Sequence, residues 1–471
     1  MPKEIISIKN LNVSYLLGNN KIKALDNINF RLFENEILGI IGESGSGKTT
    51  LARYLLGTLD TAGSEILIEE YLLNNKRIDL FPTKINELRG SFISMIMQNP
   101  VSSLNLTMKI HNQFRLVLKD VLNIKQKELQ DNLIEVVIKE VSLDNHKDIL
   151  NKYPLELSDG MNQRINVALS LISNPRVLVM DEPTASIDKE NKIRILKVVD
   201  KIVHKKNISV VFITHDILLA KKICNRILIM KDNKIVDEIC KVNESLSSEY
   251  TKLLYKSSLL EVKKNGDAVF SQKIIELNMI SKNFGDNLVV GDFNMYVKTG
   301  ETVGLVGESG VGKTTICKMI MGIYKPSSGV IKTREKLKIE MVFQNANLSL
   351  NHNQKIFKIL NEENYINNKN EFSREFISSF FVDFNLPIDI LDKYITELSD
   401  GQKQIISIIR SLLSSPDVII LDEPTSSLDT ITQNKILELL LKIKLKYNLT
   451  YILISHDDRV IQYMCNRYIE I

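Results

Sequence analysis

Short runs of β-branched and other apolar residues, such as ILGIIG (37–42), SVVFIT (209–214) and DVIILD (417–422), alternate along the chain with longer stretches of helical periodicity. Runs of this length without polar alternation suit strands covered on both faces, so the pattern predicts α/β domains with largely parallel central sheets. After His215 the stretch RILIMKDNKIVDEIC (226–240) reads as two strands around an Asp-Asn turn.

The pattern occurs twice. VLVMDEPTASID (177–188) matches VIILDEPTSSLD (418–429) at an offset of 241, and the same offset pairs ELSDGMNQ with ELSDGQKQ, FITHD with LISHD, and Cys224-Asn225-Arg226 with Cys465-Asn466-Arg467. A whole domain is duplicated. GESGSGKTT (42–50) and GESGVGKTT (307–315) lie 265 apart, because 50 positions separate Lys48 from Gln98 and only 31 separate Lys313 from Gln344. An interval that tolerates such a deletion is expected at an edge or surface. The second copy stops at the position corresponding to Met230, so its last sheet edge is expected to be shorter. Residues 1–255 and 272–471 are read as domains, with a polar, Gly-containing linker at 256–271.

Composition then narrows the classes. A chain of 471 residues with 44% hydrophobic and 25% charged residues is globular and needs more than one core. A net charge of +4 gives no electrostatic case for nucleic acid or a polybasic membrane anchor. The amino-terminal MPKEIISIKN has no apolar signal region, and no run approaches a membrane span, so a cytosolic location is expected. Four cysteines without a close pair read as packing residues rather than as a metal or disulfide framework.

Both Gly-rich segments fit G-x4-G-K-[ST], where successive backbone N–H groups wrap phosphates at a helix N-terminus. Gly42, Ser44, Gly45, Gly47, Lys48, Thr49 and Thr50 form the first cradle, and Gly307, Ser309, Gly310, Gly312, Lys313, Thr314 and Thr315 the second. Lys48 and Lys313 are placed for β- and γ-phosphates, and Thr49 and Thr314 for Mg²⁺. Asp181 and Asp422 end apolar runs, where an acid holds Mg²⁺, and Glu182 and Glu423 follow to polarise water. His215 and His456 close further apolar runs and are read as γ-phosphate partners.

LSDGMNQR (157–164) and LSDGQKQ (398–404), each ahead of the acidic strand, make the chain resemble a fused pair of ABC-transporter nucleotide-binding domains. The resemblance implies two P-loop NTPase domains, each with a mainly parallel core sheet, an antiparallel β subdomain and a helical subdomain. It implies Gln98 and Gln344 as catalytic and metal-contacting Q-loop residues, ASID and SSLD as D-loops, and Tyr15 and Phe284 as rings stacking on adenine. It implies ATP sandwiched between one domain's cradle and the other's Ser158, Gly160 or Ser399, Gly401, Gln402. Asp159 and Asp400 depart from the usual glycine, where an acid in a first helical turn suits the dipole.

MIMQNPVSSLN and MVFQNANLSLN, and the tail SSEYTKLLYKSSLL, resemble the ATPases of oligopeptide, dipeptide and nickel importers. That resemblance implies two permease subunits, an extracytoplasmic solute-binding protein and a place on the cytoplasmic face of the membrane, with peptide, nickel or metal-chelate cargo left open. Asn162 and Ile405 stand where that group has Arg. The rival reading is a soluble twin ATPase acting on ribosomes. It is disfavoured by the short linker and small net charge.

Overall fold

The parallel strands form because their residues are buried on both faces. In the first copy Ile37–Gly42, Val177–Asp181 and Ser209–Thr214 are buried throughout, and they pair in parallel with one another or through a common neighbour. The structure is a computed structural model describing residues 3–18, 20–78, 88–97, 101, 103–143, 146–184, 189–240, 247–260, 270, 272–308, 310–366, 370–426 and 428–471. Two units divide the chain, Met1–Ser258 and Leu259–Ile471.

In the first unit the core sheet runs Lys234–Cys240, Arg226–Lys231, Ile37–Gly42, Ser209–Thr214, Val177–Asp181, Ile93–Ile96, parallel except for the Arg226–Lys231/Lys234–Cys240 hairpin. In the second unit the order is Ile339–Val342, Val418–Asp422, Thr450–Ile454, Thr302–Val306, Arg467–Glu470, all parallel. Its edge is thus a four-residue strand where the first unit has a seven-residue one. Each Gly-rich loop leaves the carboxyl end of a central strand, the position where a doubly wound sheet binds its ligand.

A second, antiparallel sheet accompanies each core. In the first unit Glu4–Leu17 pairs with Asn20–Phe33 on one side and with Ser64–Leu67 and Glu70–Leu73 on the other, and Lys76–Arg77 forms an exposed edge. In the second unit Lys273–Phe284 pairs with Asn287–Lys298 and with the single strand Ser328–Thr333. Part of the length difference between the copies is therefore spent at a sheet edge, where three short strands stand against one; residues 79–87 of this interval lie outside the described residues.

The same joint ties antiparallel sheet to core sheet in both units. Glu36 accepts the Phe33 N–H at 2.8 Å and the Arg226 guanidinium at 2.9 Å, while Arg226 also reaches the Arg31 carbonyl. Glu301 accepts from Lys298 N–H at 2.9 Å and from Arg467 at 2.6 Å, and Arg467 reaches the Tyr296 carbonyl. Both glutamates are buried, and a buried carboxylate paired in this way is strongly destabilised if its partner is removed.

The first unit closes with the helix Glu249–Ser258, so positions 256–258 of the 256–271 segment are helical, and 261–269 and 271 lie outside the described residues. Asp237 holds the start of this helix by accepting from Ser247, the Ser248 N–H and Thr251. Those donors outweigh burial and bring its carboxyl down to about 2.

Candidate ATP sites

Each Gly loop ends in a left-handed residue that starts a helix. Gly47 and Gly312, both at φ 98°, precede the helices Lys48–Leu55 and Lys313–Ile320. A Cβ on Gly47 would lie 2.5 Å from the Ala24 carbonyl, and one on Gly312 2.7 Å from Val290 Cγ2, so both conformation and space require glycine. Helix N–H groups point into the concavity, with the positive end of the helix dipole behind them. In the first loop the Ser46 hydroxyl is buried and makes no hydrogen bond to protein. Beside the second loop a cleft of about 420 Å³ is lined by Val289, Val290, Gly310 and Val311.

The lysines are buried and folded back on their own loops. Lys48 Nζ donates to the Gly42 and Glu43 carbonyls at 2.8 and 2.7 Å, and Lys313 Nζ to Gly307 and Glu308 at 2.8 and 2.6 Å. Thr49 donates to Asp181 Oδ2 at 2.9 Å, and Thr314 to Asp422 Oδ2 at 3.0 Å. Burial raises both aspartate pKa values from the usual carboxylate range, and the threonine hydroxyls only partly offset it. A hydroxyl, a carboxylate and a phosphate cradle at one point form a hard-oxygen donor set that suits Mg²⁺.

The next residue in each copy is strained. Glu182 and Glu423 have φ 48° and 47°, a region that costs a non-glycine residue free energy, and their N–H groups donate at 3.0 Å to Ile213 and Ile454 on the adjacent strand. This backbone twist turns each glutamate out of the sheet toward a histidine. His215 Nδ1 lies 3.5 Å from Glu182 Oε2, and His456 Nε2 lies 2.7 Å from Glu423 Oε1. Burial opposes charge on both members of the first pair. Their mutual hydrogen bond and Coulomb attraction outweigh it, so Glu182 is lowered and His215 raised. Gln344 donates to Glu423 Oε2 at 2.9 Å, so both oxygens of Glu423 are held. Gln98, Ser309, Ser427 and the 185–188 D-loop lie outside the described residues.

Ser158 and Ser399 cap the helices Asp159–Leu171 and Asp400–Leu413, accepting from the Met161 and Gln402 N–H groups at 3.3 Å. Gln402 Oε1 in turn accepts from the Ser399 N–H at 3.0 Å, completing a capping box. Asp400 pairs with Lys403 at 3.0 Å, and Gly160 and Gly401 are buried in the first turns. Within each unit these serines serve a different helix from the one the phosphate loop begins. Ser44, Gly45 and Gly310 are exposed at the loop tips.

Tyr15 and Thr50 share a hydrogen bond of 3.2 Å, which ties the hairpin ring to the cradle helix. Phe284 instead sits edge-on to Tyr324, ring centres 5.4 Å apart. Motif reading does not single out Tyr324, nor Gln163, whose amide donates to the Pro183 carbonyl at 3.0 Å and so braces the segment behind Glu182. The exchange of Leu59 for Tyr324 between copies, at the cradle offset of 265, is the signal that could have found the former.

The family described as "ABC transporter" matches residues 25–185 and 290–426. The chain belongs to the ABC transporter family. As an ABC ATPase it binds and hydrolyses ATP. Across 100% of its length it is 27% identical to the "Uncharacterized ABC transporter ATP-binding protein YejF" of Escherichia coli K12, covering 94% of that protein. It is 27% identical to the "Peptidoglycan transport ATP-binding protein YejF" of Agrobacterium fabrum, over 98% of this chain and 90% of the relative. It is 26% identical to the "Glutathione import ATP-binding protein GsiA" of E. coli K12, over 98% and 84%. Among solved structures, a complex of archaeal ribosomal stalk protein aP1 with the ribosome recycling factor aABCE1 matches with TM-score 0.66 and 20% identity, over 97% of this chain and 86% of that one, a likeness of fold alone. Among the described residues no helix is long and apolar enough to cross a membrane.

Proposed function

We propose that this ABC ATPase powers an importer for peptides or peptide-like solutes, working with two permease subunits and an extracytoplasmic solute-binding protein from the cytoplasmic face of the membrane. The observation that carries this reading is the pairing of two Gly-rich cradles, each with a threonine–aspartate bond and a glutamate–histidine pair, with relatives similar along nearly the whole chain and named for peptidoglycan and glutathione transport. Those names support peptide-type cargo; nickel, which the sequence left open, gains nothing from them.

In this reading Lys48 and Lys313 leave their loop carbonyls for the β- and γ-phosphates, so nucleotide binding exchanges two ammonium–carbonyl hydrogen bonds for ones in which the acceptor is charged as well. Thr49 with Asp181, and Thr314 with Asp422, would hold Mg²⁺, which when bound would neutralise phosphate charge. Glu182 and Glu423 accept a proton from the attacking water, while His215 and His456 orient the glutamates and reach the γ-phosphate. Gln98 and Gln344 report nucleotide to the permeases, and release of Glu423 by Gln344 is part of that step. Tyr15 and Phe284 carry the adenines. The signature residues of one domain, Ser158 with Gly160 or Ser399 with Gly401 and Gln402, complete the other domain's ATP site. Fusion of the domains makes that encounter intramolecular.

Mild-detergent purification of the tagged chain from its native cells, with mass spectrometry of what accompanies it, tests the assignment. Two multi-span permeases and a binding protein retaining a peptide are expected. Ribosomal proteins without permeases would move the same ATPase to translation.

A further inference from the structure

The two copies fix their hairpin aromatic ring to the cradle helix by different means. In the first copy the link is polar: Tyr15 and Thr50 share a hydrogen bond, and Thr50 lies two residues after Lys48. In the second copy Phe284 carries no hydroxyl to offer Thr315. Beyond the helix Lys313–Ile320 the chain turns at Gly322 (φ 75°), and Tyr324 folds back so that its N–H donates to the Lys318 carbonyl at 3.2 Å. Its ring meets Phe284 at an interplanar angle of 79°, the edge-to-face geometry aromatic pairs favour. Lys282 Nζ lies 5.2 Å from the Phe284 ring centre and 5.7 Å from that of Tyr324, and Lys318 Nζ lies 5.7 Å from Tyr324. Lys282 is itself anchored, donating to the Lys325 carbonyl at 2.8 Å.

The first copy has Leu59 at the position of Tyr324, after the matching Gly57 turn (φ 62°), and Leu59 is buried in the core against which Tyr15 packs. The copies therefore make a compensating exchange. Where the ring has a hydroxyl, the buttress position is aliphatic; where the hydroxyl is missing, an aromatic edge and a cation take over. Phe284 is 45% exposed, leaving ring surface outside this packing for a ligand.

We propose that Tyr324, with Lys282, is a positioning residue of the second ATP site, holding Phe284 at the orientation in which it receives the adenine ring. This rests on the reading of Phe284 as the base platform. Tyr324 touches the platform and not the phosphates, so its contribution belongs to the base half of the ligand. An edge-to-face pair predicts a loss of about three- to tenfold in ATP affinity when the ring is removed. The hydroxyl of Tyr324 is not needed, so Tyr324→Phe retains the contact.

The test uses the full chain carrying Lys48→Ala to silence the first site, with Mg²⁺-ATP and Mg²⁺-tripolyphosphate binding measured by calorimetry. Tyr324→Leu is expected to weaken ATP about three- to tenfold and leave tripolyphosphate unchanged, Tyr324→Phe to stay within about twofold of the parent, and Phe284→Ala to weaken ATP at least as much as Tyr324→Leu. Adding Phe284→Tyr to Tyr324→Leu recreates the first copy's arrangement and is expected to restore most of the affinity through Thr315. If Phe284→Ala leaves ATP binding unchanged, the platform reading fails and takes the proposal with it. If Phe284→Ala weakens ATP but Tyr324→Leu does not, the platform stands and the buttress is refuted. Equal loss of ATP and tripolyphosphate in Tyr324→Leu overturns the proposal as damage to the cradle helix.

Discussion

Thr49 donates its hydroxyl hydrogen to Asp181 across 2.9 Å, joining the first turn of the cradle helix to the end of a strand 132 positions later in the chain. A cation entering there meets two oxygens already set at contact distance, a preorganisation that lowers the cost of binding. Thr49→Val is expected to raise the Mg²⁺ concentration needed for half-maximal ATP hydrolysis by about tenfold when the second site is silenced by Lys313→Ala, because one of few protein donors is lost. Chelation with EDTA should abolish turnover, and unchanged Mg²⁺ dependence in Thr49→Val would remove the residue from the metal site.

The two glutamates stand in the same strained conformation and each faces a histidine. Glu182→Gln and Glu423→Gln, made separately, are each expected to cut total turnover by about half or more, and together by about a hundredfold or more, the usual range for loss of a general base. ATP binding should persist in all three. A single variant with unaltered steady-state turnover would show that the sites are not equivalent.

His215 titrates above its ordinary value because Glu182 outweighs burial. A histidine raised on folding adds stability that is complete below its unfolded value of about 6.5 and is lost as pH climbs through the folded one. Glu182, lowered on folding, adds stability that is lost only as pH falls through its depressed value. Glu182→Gln is therefore expected to move the His215 midpoint downward, since the main group opposing burial is removed while Asp216 still raises it and Lys192 still lowers it. Imidazole NMR across pH 5 to 8 reads this directly.

Asp159 and Asp400 occupy the first turn of their helices behind serine caps, and Asp400 has Lys403 beside it. This geometry favours a local role. Replacing either by glycine should cost about 1 kcal/mol of stability, from lost dipole compensation and glycine's poor helix propensity. Denaturant unfolding measures it. A tightening of ATP affinity in the same variants would instead show that the charge opposes closure over the γ-phosphate.

Gly47→Ala meets both a left-handed backbone and the Ala24 carbonyl. A loss of about 2 kcal/mol or more in unit stability, or a loop displaced enough to abolish nucleotide binding, is expected. Wild-type ATP affinity and melting in this variant would contradict the geometry.

The cradles, the acidic strand ends and the histidines were readable from residues alone because each needs a scarce residue type at fixed local spacing. Gly47 must reach φ 98°, and Asp181 must end a fully buried run. The repeat offset also located the variable interval, part of which is added edge strands. What spacing does not contain is tertiary contact. Nothing local says that Tyr15 reaches Thr50, that Gln344 closes on Glu423, or that Gln163 braces Pro183. Composition likewise misled at residues 256–258, where polar residues continue a helix because Leu254 is buried and the Ser258 hydroxyl bonds back to its carbonyl.

The Glu36–Arg226 joint and its Glu301–Arg467 duplicate use the same pair of side chains and the same kind of carbonyl contact. They act as a standardised coupling between modules. A chimera that trades the antiparallel strands Glu4–Leu17 and Asn20–Phe33 for Lys273–Phe284 and Asn287–Lys298 would find a matching glutamate and arginine waiting at the graft. The antiparallel layer of each half is in that sense a replaceable part at its joint with the core sheet, and the residue that its aromatic ring packs toward, Leu59 or Tyr324, would have to travel with it.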